Sequence, residues 1–284
     1  MSATGTITRE RPEQEAAGEI VLEGHHLTKE YAVGARHGLL RRRGTLRAVD
    51  DVSLALRRGQ VTALVGQSGS GKSTLGRLLA RLIPLTSGEI TLHGQPITVS
   101  PREYTHEVQL TLQDPFASLN PLRRIDYILG RAVRLHQQVS GAEDVRERSL
   151  ALLERVGLEP AAHYLDRFPH ELSGGERQRV SFARALAAGP SVLLADEPVS
   201  MLDVTIRKAM LDLIDDLRRE EDLAVLYITH DLGSAKRYSS EVLVMHDGRV
   251  VERGDSDQVI EDPQDEYTKR LLAAAPDPRR ALKK

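Results

Sequence analysis

An α/β fold with a mainly parallel sheet is what this sequence predicts, and three observations predict it. Short apolar runs at 61–65, 191–195 and 224–229 are separated by stretches with helical spacing at 74–83 and 204–217. Strands that alternate with helices close into a parallel sheet through right-handed crossovers. A glycine-rich loop, Gly66-Gln67-Ser68-Gly69-Ser70-Gly71-Lys72-Ser73, joins the first run to its helix, which starts near Thr74. Strand, glycine loop and helix in that order form a phosphate-binding loop in its proper setting. Finally, an alternating β unit precedes the loop, and helical spacing fills 118–186 between two halves of the sheet. The expectation is a P-loop NTPase core with an antiparallel β subdomain and a helical subdomain.

Composition narrows the function. At 284 residues and 40% hydrophobic content the chain can bury one large core with a subdomain and tails. A net charge of −2 and a pI near 6.6 argue against general nucleic-acid binding, which relies on a basic excess. The absence of cysteine excludes disulfides, thiolate metal sites and cysteine-ligated clusters, and is compatible with a reducing cytoplasm. No run approaches the ~18 apolar residues of a membrane span, and residues 2–17 are polar, unlike a signal peptide. The expected protein is soluble, or held at a membrane surface by partners.

In order, residues 1–18 lack periodicity and read as a disordered lead-in. An ATPase domain is expected over 19–255 and an extension over 256–284. A first strand begins near Ile20 and passes Leu27 and Tyr31 into a basic, glycine-punctuated loop over 34–47, rich in arginine (Arg36, Arg41, Arg42, Arg43, Arg47). Such a run is usually a solvated loop; docking on anionic lipid or a partner is its other reading. Strands at 48–56 and 61–65 flank the turn at 57–60, and further strands are expected at 89–93 and 107–113. In the helical insert, Ile125-Ile128-Leu129-Val133 and Leu150-Leu153-Val156 carry the apolar spacing. A hairpin over Asp247-Gly248 joins strands at 241–246 and 249–252, and the tail holds one helical piece at 267–275.

The chemistry gathers around the loop. Its glycines let successive N–H groups turn onto one oxyanion, Lys72 adds a charge for the outer phosphates, and Ser73 offers a hydroxyl to Mg²⁺. The residues for a nucleoside triphosphate are therefore Gly66, Gln67, Ser68, Gly69, Ser70, Gly71, Lys72, Ser73 and Thr74. Asp196 and Glu197 stand at the end of an apolar strand, where open α/β sheets bind ligands. Successive side chains point oppositely, so Asp196 suits Mg²⁺ and Glu197 a general base on water, with helix N-terminal capping before Pro198 as the competing reading of Glu197. In Leu172-Ser173-Gly174-Gly175-Glu176, Ser173 and Glu176 read as a capping box. The two glycines weaken a helix yet leave its positive end open to an anion.

With those residues in place, the chain resembles the nucleotide-binding subunit of an ABC transporter over roughly residues 20–255. The resemblance implies that Ser173, Gly174 and Gly175 face the γ-phosphate held by a second subunit. It also implies that Tyr31 stacks on adenine, that Gln113 senses Mg²⁺ and water, and that His230 contacts the γ-phosphate. Gln113 then joins Ser73 and Asp196 as a metal residue, and Glu197, His230, Gln113 and Lys72 form the catalytic group. Ser200-Met201-Leu202-Asp203 matches the loop at the dimer interface, with Met201 where alanine is commoner.

Within the family, residues 113–121, residues 168–172, the basic insertion and the tail Asp265-Glu266-Tyr267-Thr268 resemble the oligopeptide and dipeptide importer branch, although His-Pro usually precedes Tyr-Thr there. The implied protein is an ATPase that binds ATP and Mg²⁺. It would lie peripherally on the cytoplasmic face of the membrane with two permeases, a second identical or paralogous ATPase subunit and, indirectly, an extracellular substrate-binding protein. Gln113 and its neighbours Phe116 and Leu119 would couple it to the permeases. Related machinery imports oligosaccharides or nickel. A soluble ABC-type ATPase of DNA repair or translation is the remote alternative, against which stand the short distance from Gln113 to Ser173 and the presence of one such domain.

Overall fold

A computed structural model describes residues 18–37, 40–114, 118–200 and 202–274, with their side chains except over 33–43. The expected disordered lead-in, Phe116, Met201, residues 275–284 and the side chains of Arg36, Arg41, Arg42 and Arg43 lie outside that set.

The parallel sheet is present. Strands β1 (Ile20–His37) and β2 (Leu40–Arg57) form a hairpin, β3 (Val61–Val65) leads to the glycine loop, and α1 (Lys72–Leu79) follows. Next come β4 (Ser87–Leu92), β5 (Gln95–Pro96), α2 (Pro101–Glu107) and β6 (Val108–Thr111). The helical subdomain holds α3 (Ile125–His136), α4 (Ala142–Arg155), α5 (Ala162–Leu165), a 3₁₀ turn (Pro169–Glu171) and α6 (Gly174–Leu186). The chain closes with β7 (Val192–Asp196), α7 (Val204–Glu221), β8 (Ala224–Thr229), α8 (Leu232–Tyr238), β9 (Glu241–His246), β10 (Arg249–Asp255), α9 (Ser256–Glu261) and α10 (Glu266–Ala274).

Six strands pair in the order β10-β9-β3-β8-β7-β6, all parallel except β10, and four form an antiparallel sheet in the order β2-β1-β4-β5. Strand alternation sorts the core into two layers. Ala63, Val65, Leu193, Ala195, Val225 and Tyr227 pack with α6, α7 and the helical subdomain through Phe182, Met210 and Ile214. Leu64, Leu194, Leu226, Ile228 and Met245 pack with Leu75, Leu78 and Leu79 of α1 and with Val21, Leu54 and Leu56 of the antiparallel sheet. Because both faces are covered, these strands read as unbroken apolar runs.

The helical insert buries Ile125, Leu129, Val133, Leu153 and Val156, as its spacing predicts. Leu119, expected to help couple the ATPase to the permeases, is only 1% exposed and belongs to the same core. Its side chain packs in that core.

The sequence reading also missed α8 and α9, and two further differences have plain physical causes. The basic segment expected as a loop over 34–47 is strand: pairing runs from Glu30↔Arg47 through Gly34↔Arg43 to His37↔Leu40. Ribbon hydrogen bonds satisfy the backbone without a buried face, so the side chains need show no period of two. Helix α2 was not anticipated, although its start carries a signal. Ser100 and Glu103 form a capping box with Pro101 at the first turn, and Tyr104 is buried with its hydroxyl donating to the Leu79 carbonyl.

Candidate functional site

The register pairs Val65 with Thr229, Asp196 with Ile228 and Thr111 with Ala195, which sets the C-terminal ends of β3, β8, β7 and β6 along one edge. That edge opens into a cleft lined by the glycine loop together with Thr74, Gln113, Glu197 and His230. Tyr31 reaches the same cleft from the hairpin, 40% exposed, with the Lys29 ammonium 5.2 Å above its ring.

The loop is shaped by positions that only glycine fills. Gly66 and Gly71 have φ of 154° and 107°, and a Cβ on them would run into the carbonyls of Met245 and Ala48. Helix α1 starts at Gly71 with no side-chain cap, so its first N–H groups stay open to an anion. The Ser70 carbonyl accepts from the Gly248 N–H at 3.0 Å, tying the loop to the β9–β10 turn. Its hydroxyl is buried without a partner among the described residues.

Lys72 is 5% exposed and donates to the carbonyls of Gly66 at 2.7 Å and Gln67 at 2.9 Å. Burial pulls its pKa below the usual lysine value, while the charges of Glu197 and Asp196 pull it back up. Asp196, 3% exposed, takes a hydrogen bond from the Ser73 hydroxyl at 3.1 Å. Burial pushes its carboxyl above the ordinary range, the Ser73 hydrogen bond opposes that, and the charge of Glu197 adds to it.

The next side chain faces other partners. Glu197 accepts from Gln113 Nε2 at 2.9 Å on the oxygen that lies 3.5 Å from His230 Nδ1. Its backbone holds φ of 45°, a left-handed conformation uncommon outside glycine, and its N–H donates to the Ile228 carbonyl at 3.0 Å. The segments after β6, β7 and β8 thus meet on one carboxylate. The helix-capping reading of Glu197 fails: α7 starts later and is capped by Asp203, which accepts from the N–H groups of Thr205 and Ile206 at 3.1 and 3.0 Å.

Ser173, Gly174 and Gly175 do not line this cleft. They form the N-terminus of α6 in the helical subdomain, where the Glu176 carboxylate accepts from the Ser173 N–H at 2.7 Å and the Ser173 hydroxyl accepts from the Glu176 N–H at 3.3 Å. The capping box is therefore real, and within one chain this helix end stands apart from the cleft. Sequence reading missed Leu46, Ala48, Arg207, Asp247, Gly248, Leu271 and Ala274, which line the cleft as well. They arrive from the hairpin, α7, the β9–β10 turn and α10, and no local pattern marks them.

The fit to magnesium rests on the donor set. Among the described residues no group of three His, Asp or Glu side chains could hold a metal alone. The Ser73–Asp196 pair suits Mg²⁺, which is held by one or two carboxylates together with substrate phosphates and water.

Residues 49–200 match the family model described as ABC transporter. The chain belongs to the ABC transporter ATPase family. Over 254 residues it is 42% identical to the dipeptide transport ATP-binding protein of Haemophilus influenzae, covering 88% of this chain and 76% of that one. It is 45% identical to the glutathione import ATP-binding protein of Escherichia coli over 91% of this chain and 42% of the relative. To the peptidoglycan transport ATP-binding protein of Agrobacterium fabrum it is 43% identical over 81% of this chain and 44% of the relative. This ABC ATPase thus spans less than half the length of the latter two.

Solved cassettes carry the same fold. A dimeric ATP-binding cassette in a post-hydrolysis state with ADP and Pi superposes with a TM-score of 0.71 at 26% identity over 83% of this chain and 98% of that one. The cbiO1 protein of Clostridium perfringens, part of an ABC transporter complex, superposes with 0.72 at 25% identity over 94% of this chain and 100% of its own. Among the described residues no helix is long and apolar enough to cross a membrane.

Proposed function

We propose that this chain is the ATP-hydrolysing subunit of a peptide importer, working on the cytoplasmic face of the membrane. ATP binding closes two such subunits, identical or paralogous, and drives two permeases fed by an external binding protein. The observation that carries the reading is the convergence in one cleft of the glycine loop, of Ser73 with the buried Asp196 bonded to it, and of the Glu197 carboxylate held by Gln113. The cargo rests on the relatives, whose names are those of dipeptide, glutathione and peptidoglycan transport proteins.

In this reading the loop N–H groups and Lys72 bind and orient the phosphates. Ser73 and Asp196 would hold Mg²⁺, which neutralises phosphate charge when bound. Glu197 accepts the proton of the attacking water, Gln113 and His230 fix the orientation of its carboxylate, and Tyr31 stacks on the base. Ser173, Gly174 and Gly175 serve the site of the opposite subunit, because a loop that presents N–H groups from one side leaves the outer phosphate oxygens to a second positive helix end.

The test has two parts. Purified protein should release phosphate from ATP only with Mg²⁺, and Lys72→Ala should lose nucleotide binding. Cells whose only copy carries Lys72→Ala should lose uptake of labelled peptides while keeping that of oligosaccharides and nickel; loss of either of those instead would reassign the cargo.

A further inference from the structure

We propose that Tyr267, on helix α10 and beyond the segment matched to the family model, is a positioning residue for the phosphate loop. The inference rests on the nucleotide-binding reading of that loop, and its first observation concerns a single peptide unit. The carbonyl of Gly66 accepts from the Lys72 ammonium at 2.7 Å, while the N–H of the same Gly66–Gln67 peptide donates to the Tyr267 hydroxyl at 3.1 Å. The plane of this peptide is held at both ends, once by the lysine and once by the C-terminal helix.

Both hydrogen bonds bear on the same group. The Lys72 ammonium is buried and has its Gly66 and Gln67 carbonyl partners on this stretch of backbone, so rotating the Gly66–Gln67 plane withdraws one of them. Gly66 has no side chain to resist that rotation, and hydrogen bonds in series polarise and strengthen one another. Tyr267 therefore fixes where Lys72 sits without itself touching phosphate.

The tyrosine is in turn held from two sides. Its ring, 7% exposed, stacks on His246 at the end of β9 with centroids 3.8 Å apart and planes 16° from parallel. The turn of α10 that carries it is capped by Asp265, whose carboxylate accepts from the N–H groups of Tyr267 at 2.7 Å and Thr268 at 3.3 Å. The Asp265 N–H donates to Glu252 of β10 at 3.1 Å, which pins the start of the helix to the sheet. Farther along the same helix, Leu271 and Ala274 line the nucleotide cleft. The C-terminal extension is thus a wall of the ATP site.

The deciding variant is Tyr267→Phe in the full chain, which keeps the ring on His246 and removes only the hydroxyl acceptor. Two readouts are taken on parent and variant: the backbone amide resonance of Gln67 by nitrogen-edited NMR without nucleotide, and the dissociation constant for a fluorescent ATP analogue with Mg²⁺. Expected are a shifted, broadened Gln67 amide, a melting curve close to the parent's, and an affinity about three- to tenfold weaker, the worth of one neutral hydrogen bond. In hydrolysis the loss should fall on KM, with kcat at saturating ATP retained, whereas a merely structural role would lower melting temperature and kcat together. An unmoved Gln67 amide with parental affinity overturns the proposal. Failure of the parent itself to bind the analogue would overturn the nucleotide reading instead, while the amide resonance still decides the Tyr267 contact.

Discussion

Replacing Glu197 by glutamine separates binding from chemistry, because the change alters charge while leaving shape. The carboxylate oxygen that accepts from Gln113 at 2.9 Å has a carboxamide oxygen as its equivalent, so that hydrogen bond and the unusual backbone at φ 45° can both persist. What disappears is the proton acceptor and one negative charge. A general base contributes about 10²–10⁴ in rate, or roughly 2.7–5.5 kcal/mol of barrier, so kcat should fall by that factor. The charge loss acts on the neighbours with opposite consequences. Glu197 raises the pKa of both Lys72 and Asp196. Without it Asp196 ionises more readily, while the buried lysine loses some support for its charged form. A triphosphate supplies that support in the bound state, so ATP affinity should match or exceed the parent's. The assay pairs phosphate release at saturating Mg-ATP with equilibrium binding of the same nucleotide. Parental turnover would refute the general-base assignment, and lost binding would show that Glu197 holds the loop together rather than acting on water.

Tyr31→Ala should weaken ATP binding by about 5- to 150-fold, the range expected for one base–aromatic stack, and leave kcat at saturation unchanged; titration with a fluorescent ATP analogue reads it directly. Gly174→Asp should block turnover with little cost to folding, since among the described residues a Cβ there meets nothing nearer than Leu202 at 3.7 Å, whereas a Cβ on Gly175 would stand 2.7 Å from Ile206. Full hydrolysis by a Gly174→Asp homodimer, measured beside its melting temperature, would eliminate the shared site. The Glu197→Gln protein should dimerise on adding ATP, as light scattering would detect; dimerisation only with a paralogous ATPase would assign the opposite half of the site to that partner.

How far this site could be read in advance depends on where each constraint originates. Gly66 to Ser73 is legible because local dihedrals, a helix start and phosphate chemistry all act within eight consecutive residues. Asp196 and Glu197 are legible because they terminate an apolar run; Asp196 closes β7 and pairs with Ser73, whereas Glu197 stands one residue past the strand at φ 45°, and that turn rather than strand alternation sends it to Gln113. The helical insert could be read from the spacing of Ile125, Leu129 and Val133, which packing then buries. Residues 34–47 misled because a two-stranded ribbon can extend past the core, where no face has to be apolar.

The contacts that escaped sequence reading are those made across long separations by residues whose local signal has another explanation. Tyr267 lies 200 positions from Gln67, and the sequence marks it only as part of an apolar helical piece and of the importer-branch tail. Asp265 reads only as part of that tail, yet it caps the turn from which the hydroxyl reaches the loop. Gly66 and Lys72 belong to the loop proposed to hold phosphate; the Gly66–Gln67 peptide that Lys72 contacts is also held by a helix that the phosphate motif does not contain. A site of this kind is thus written twice in the chain, once as chemistry concentrated in a loop and once as support scattered through the fold, and only the first of these has a local signature.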